Sequence, residues 1–143
     1  MNATKSLALP FAAGLAMVAV ALAAPASAAP DDGHPVTAVR DVRLTNADNG
    51  RTVEVRPGDT VRVSLTGSRT AGATWAWSIP VSESPQVLTR TIGENTASGD
   101  AMGYFRVNTA GSARIQSVKK CVADPGHLCP HLAVLWRVTV VVR

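Results

Sequence analysis

The stretch Leu132-Ala133-Val134-Leu135-Trp136-Arg137-Val138-Thr139-Val140-Val141-Val142 decides the fold. Trp136, Val138, Val140 and Val142 share one parity, while Arg137 and Thr139 fall on the other. An extended chain turns successive side chains to opposite faces, so this run reads as a strand with one face in a core. The same alternation recurs upstream in Val53-Glu54-Val55-Arg56, Val61-Arg62-Val63-Ser64-Leu65, Phe105-Arg106-Val107-Asn108 and Arg114-Ile115-Gln116-Ser117-Val118. Val36 to Leu44 and Val87 to Ile92 complete the candidate strands. Trp75 and Trp77, two apart, point both indoles to one face and read as core residues. Arg56-Pro57-Gly58-Asp59 and Thr109-Ala110-Gly111-Ser112 supply turns. About seven or eight short strands without a helical period predict an all-β chain, an antiparallel two-sheet sandwich with one face of each sheet in water.

With 143 residues, the chain has room for one domain, and its N-terminus shortens it further. Lys5 is the only charged side chain before Asp31, and an apolar run from Leu7 to Ala24 precedes Ala26-Ser27-Ala28. A basic start, an apolar run and a small-residue triplet predict a secretory signal over 1–28 and a protein released outside the cell. Residues 29–35 then read as a disordered lead-in and 36–143 as the domain. The alternative is a transmembrane anchor. Pro10, Gly14 and the lack of a basic cluster after the run argue against it, so no membrane contact is expected after cleavage. No cysteine near residue 28 offers a bacterial lipid anchor. Eleven Arg against three Lys, with abundant Ala, suits a GC-rich bacterial source.

Cleavage after Ala28 leaves 115 residues, too few for a two-halved doubly wound nucleotide fold or an α/β barrel. A chain of this size buries about two-thirds of its unfolded surface and folds without a cofactor. Without Lys5 the net charge falls from +4 to +3. Arg56, Arg62, Arg106, Arg114 and Arg137 are dispersed between apolar neighbours, which suits the wet faces of strands. With no basic stripe and few aromatic residues for stacking, no nucleic-acid partner is expected.

Three segments break the alternation: Thr66 to Thr74, Gly93 to Gly103 and Cys121 to His131. Function concentrates on such loops, and strands running up and down bring alternate connections to one end. Cys121 and Cys129 are the only two cysteines, and in an oxidising compartment they are expected to pair. Closing so short a loop stabilises a fold by about 2.5 kcal/mol in the chain-entropy picture. The alternatives are free thiols or a metal site using Cys121, His127, Cys129 and His131, whose spacing matches no common zinc pattern. No metal or cofactor is expected. A catalytic base would have to be His127 or His131, because His34 falls in the lead-in. The chain has no Gly-x-Ser-x-Gly elbow and no His-Glu-x-x-His motif, and Glu54, Glu83 and Glu94 show no glycosidase-like pairing. A binding protein is the expectation, and an enzyme is not.

Ser68-Arg69-Thr70-Ala71-Gly72-Ala73-Thr74-Trp75 resembles the first binding loop of chagasin-type inhibitors of papain-like cysteine peptidases, in which Asn-Pro-Thr-Thr-Gly leads to an aromatic, any residue and Trp. Thr70, Gly72 and Trp75 match, and the other specified positions differ. Ser98-Gly99-Asp100-Ala101-Met102-Gly103 stands where that family has a glycine-rich loop, followed by Tyr104-Phe105-Arg106-Val107 and Ala110-Gly111. Lys120-Cys121-Val122 stands where the family has Arg-Pro-Trp or Arg-Pro-Phe. The resemblance implies an immunoglobulin-like sandwich, acting as a monomer, whose loops block a papain-like peptidase's cleft reversibly. By the same resemblance the contacts come from Ser68, Arg69, Thr70, Ala71, Gly72, Gly99, Asp100, Gly103, Lys120 and Val122. Gly72, lacking a Cβ, would let the backbone approach the catalytic cysteine. The same scaffold with these altered loops also suits a secreted, non-inhibitory module that binds another protein, a peptide or a cell-surface component.

Overall fold

The computed structural model describes residues 37–143, so the signal segment, the lead-in and Val36 lie outside the described residues. In chain order the strands are β1 (Asp41–Leu44), β2 (Thr52–Val55), β3 (Thr60–Leu65), β4 (Ser68–Thr70), β5 (Ala73–Trp77), β6 (Val81–Ser82), β7 (Leu88–Asn95), β8 (Ala101–Val107), β9 (Gly111–Ala123) and β10 (Ala133–Val142). They form a four-stranded sheet ordered β1-β3-β8-β7 and a six-stranded sheet ordered β2-β10-β9-β5-β4, with β6 alongside β9. Among the described residues, no helix is long and apolar enough to cross a membrane.

The sandwich is all-β as the alternation requires, and the inward parity of β10 is the expected one: Trp136, Val138, Val140 and Val142 are all buried. They meet Phe105 and Val107 of β8, Val61 and Val63 of β3, and Ile115 of β9 in one core. Two pairings depart from the antiparallel expectation. β1 runs parallel to β3, and β2 runs parallel to β10. Parallel neighbours need a crossover, and here each crossover passes through the opposite sheet. The Pro57-Gly58 turn therefore carries the chain from one sheet to the other and does not close a hairpin.

The turn is held by a buried carboxylate. Asp59 is 3% exposed and accepts the backbone N–H of Arg40 at 3.0 Å and of Arg56 at 2.9 Å. These two bonds hold its pKa below the ordinary carboxylate value, against the opposing effect of burial. They also explain why the strand expected from Val36 begins only at Asp41: Arg40 is bonded to the turn through its N–H and its carbonyl.

Trp77 enters the core and donates its indole N–H to the Thr66 carbonyl at 3.0 Å. Trp75 does not enter the core and is half-buried. Its register partners are Ser68 and Cys121, residues too small to enclose an indole. Of the dispersed arginines, Arg56, Arg106, Arg114 and Arg137 are exposed, whereas Arg62 is half-buried with its guanidinium 5.2 Å from the Tyr104 ring centroid.

Candidate functional site

The first interrupted segment is mostly a hairpin. Thr70 pairs with Ala73, which leaves Ala71-Gly72 as a two-residue turn with Gly72 at φ +80°. A turn with positive φ at its third residue selects glycine. At the hairpin's base, the Asn46 side chain takes the Thr66 N–H at 2.8 Å and donates to the Thr66 carbonyl at 3.1 Å. The Trp77 indole shares that carbonyl. Thr66 is thus held at both its N–H and its carbonyl, and the hairpin rises from a fixed base.

The second segment is shorter than expected. Gly93 lies in β7 and Gly103 in β8, so the connection is only Thr96 to Asp100. Gly103 is buried, and a Cβ there would meet the Phe105 ring at 3.0 Å. Gly99 is also buried, at φ +92°, and its carbonyl accepts the Trp77 N–H at 2.9 Å. Asp100 takes the Gly67 N–H at 2.7 Å. A Cβ on Gly67 would come within 2.5 Å of the Gly99 carbonyl, so the two backbones pack directly on each other. Gly99, Asp100 and Gly103 therefore face this chain's own backbone and core, and the exposed surface of the segment is Thr96, Ala97 and Ser98.

The third segment leaves β9 after Ala123 and re-enters at Ala133. Cys121 and Cys129 are joined by a disulfide, with their Cα atoms 5.7 Å apart. Both sulfurs are thereby withdrawn from the metal alternative, and among the described residues no group of three or more His, Cys, Asp and Glu is gathered as a metal ion requires. Lys120 and Val122 lie on β9 rather than in the loop; both are exposed, Val122 opposite Thr74.

The loop folds back over the hairpin. Asp124 donates its N–H to the Gly72 carbonyl at 2.9 Å, and its carboxylate pairs with Arg69 at 2.5 Å. Arg69 also donates to the buried Thr74 hydroxyl at 2.7 Å. A Cβ on Gly72 would overlap the His127 ring. The space left by that glycine is filled by this chain's own imidazole, so the close approach at Gly72 is made within the chain.

All three segments thus meet at one end of the sandwich, the hairpin in the middle and bonded to each neighbour. Ser68, Arg69, Thr70 and Ala71 are exposed on the hairpin. Sequence reasoning missed Leu128, a large apolar side chain 96% exposed inside the cross-linked loop, with Leu132 nearby at 64%. The signal was present: a leucine flanked by His127 and Cys129 in a loop opened by Pro125-Gly126 has no strand face to hide in. Lys119, by contrast, is turned inward, its ammonium 5.1 Å from the Trp77 ring.

No protein-family model matches the chain, and no curated protein matches it. Among solved structures, the chain is similar to a cysteine protease inhibitor, EhICP2, from Entamoeba histolytica, at 14% identity over 73% of this chain and 97% of that one, with a TM-score of 0.49. It is similar to an inclusion body protein of Burkholderia cenocepacia at 10% identity, covering 76% and 99% of the two chains, with a TM-score of 0.45. PbICP-C, solved in complex with falcipain-2, is similar at 12% identity over 74% and 93%, with a TM-score of 0.44. The first of these proteins is a cysteine protease inhibitor, and the second is an inclusion body protein.

Proposed function

We propose that this chain is a secreted, reversible inhibitor of a papain-like cysteine peptidase, in which the Ala71-Gly72 hairpin enters the active-site cleft and the two flanking loops rest on its rims. One observation carries the reading: three protruding segments stand side by side, the central one a narrow hairpin bonded to both neighbours. A wedge of that shape blocks a cleft without any reacting group. Its internal bonds lower the ordering cost that a flexible loop would bear on binding. Ser68, Thr70 and Ala71 on the hairpin, Thr96 to Ser98 on the second loop, and Lys120, Val122 and Leu128 on the third side are the surfaces available to a partner. The sequence match at Thr70, Gly72 and Trp75 supports the same assignment. The Cys121–Cys129 pair is in keeping with an oxidising compartment.

The test is a titration of papain, and of a cathepsin, with the chain from Ala29 onward, following hydrolysis of a small peptide substrate. Inhibition that saturates at one chain per enzyme and reverses on dilution is the expected outcome. Unchanged hydrolysis with both enzymes at micromolar chain overturns the reading. It would favour a non-inhibitory module, whose contact surface would centre on the exposed Leu128 and Leu132.

A further inference from the structure

The arrangement of Arg69, Asp124 and His127 separates two roles that the sequence cannot distinguish. We propose that the disulfide-closed loop is a clasp that holds the hairpin tip in its working shape, with Arg69, Asp124 and His127 as positioning residues rather than partner contacts. The inference rests on the inhibitor reading for its biological purpose, but its physical content does not.

Three links join the loop to the tip, and a fourth braces the hairpin itself. The Asp124 N–H reaches the Gly72 carbonyl, the Asp124 carboxylate reaches the Arg69 guanidinium, the same guanidinium reaches Thr74, and the His127 ring lies where a Gly72 Cβ would be. Within the loop, the His127 N–H donates to the Asp124 carbonyl at 3.0 Å, so the two positioning residues form one turn. Both lie between Cys121 and Cys129, and the covalent closure therefore limits how far either can leave the hairpin. Among the described residues β4 lies at the edge of its sheet, with all three of its residues exposed and no strand paired on its outer side. A hairpin of three paired residues on a sheet edge is weakly held by its own ladder. The clasp supplies what the missing strand would.

Arg69 is the residue that decides between the alternatives. Its two terminal nitrogens are already engaged, one by Asp124 and one by Thr74. A guanidinium committed to a fork within its own chain orients the backbone around it. Arg69 acts on a partner through Thr70 and Gly72, whose positions it sets.

The experiment combines amide hydrogen exchange with inhibition of papain, using the chain from Ala29 onward. In the Cys121→Ser/Cys129→Ser variant, exchange of residues 70–73 and of Asp124 should rise about tenfold and stay insensitive to dilute urea, the pattern of local opening, while β8 amides keep the steep urea dependence of global unfolding. Arg69→Gln and Asp124→Asn keep the disulfide and the fold should the first variant fail to refold; each should raise exchange at the tip about threefold, the scale of a surface pair. Combining the two should do no more than Arg69→Gln alone, because that variant already cuts the ion pair that Asp124→Asn removes. Papain inhibition should weaken in the same order and with the same non-additivity. Unchanged exchange at the tip, or exchange there with the urea dependence of β8, overturns the clasp. So does weaker inhibition from Arg69→Gln with none from Asp124→Asn, because Arg69 would then touch the peptidase itself. If the unaltered chain leaves papain active, the inhibitor reading falls and the exchange data alone judge the clasp.

Discussion

Two aspartates hold the two ends of this sandwich by opposite means. At the crossover end, Asp59 is buried and its carboxylate takes two backbone N–H groups, so the turn is part of the frame. At the loop end, Asp124 is part-exposed, its carboxylate pairs with a guanidinium across the surface, and a disulfide keeps it in reach. A buried carboxylate left without its donors, or donors left without it, costs far more than a broken surface pair. The crossover end is therefore intolerant of change, whereas the loop end is assembled from contacts that can be exchanged without undoing the core. Such a division leaves a binding surface free to diverge on a constant body.

Asp59→Ala strikes the intolerant end. It should lower the unfolding free energy by about 3 kcal/mol in urea denaturation, since two buried N–H groups lose a charged acceptor. A loss below about 1 kcal/mol would erase the contrast between the ends. Replacing both cysteines by Ser should cost about 2.5 kcal/mol by the loop-closure estimate, with the burial of Trp136 unchanged as read by indole fluorescence.

The pH dependence sharpens the same comparison. Asp59 and Asp48 have folded pKa values below the ordinary one, Asp59 through the N–H groups of Arg40 and Arg56, and Asp48 chiefly through the Thr45 N–H. A depressed carboxylate stabilises the folded state fully above its unfolded value, near 3.8, and this contribution is lost as pH falls through the lower folded value. Stability should therefore drop between pH 5 and pH 2, and Asp59→Ala should flatten part of that slope. An unaltered slope in the variant would remove Asp59 from the frame.

Smaller effects belong to the loop end. Gly72→Ala places a Cβ both at positive φ and in the His127 ring, and should cost about 2 kcal/mol. Adding His127→Ala should return the steric part and leave about 1 kcal/mol of backbone strain. Arg69→Gln should change stability by about 0.5 kcal/mol at most while altering the tip. A larger loss would mean that the ion pair supports the body as well.

Much of the body was legible in the sequence because alternation is local: Val61-Arg62-Val63-Ser64-Leu65 already states which side chains point inward. Pairing direction was not legible, since Pro57-Gly58 serves a hairpin and a crossover equally well. At the site, Gly72 stands out through its resemblance to the chagasin-type loop, but its packing reason lies in His127, fifty-five positions away. Gly99 and Gly103 were read as loop glycines by composition, whereas one packs on the β5 backbone and the other under Phe105. The exposed Leu128 was overlooked because apolar residues are assigned to cores by default.

Which parity of most strands faces inward, that the described residues form an all-β sandwich, and which cysteines pair were set by the sequence alone, because side-chain parity is a neighbour-to-neighbour property and two thiols have only each other. Which strand lies beside which, what fills the space beside Gly72, and whether Arg69 faces a partner or its own loop were decided by the tertiary structure. Those depend on contacts between segments far apart in the chain, which no local pattern encodes.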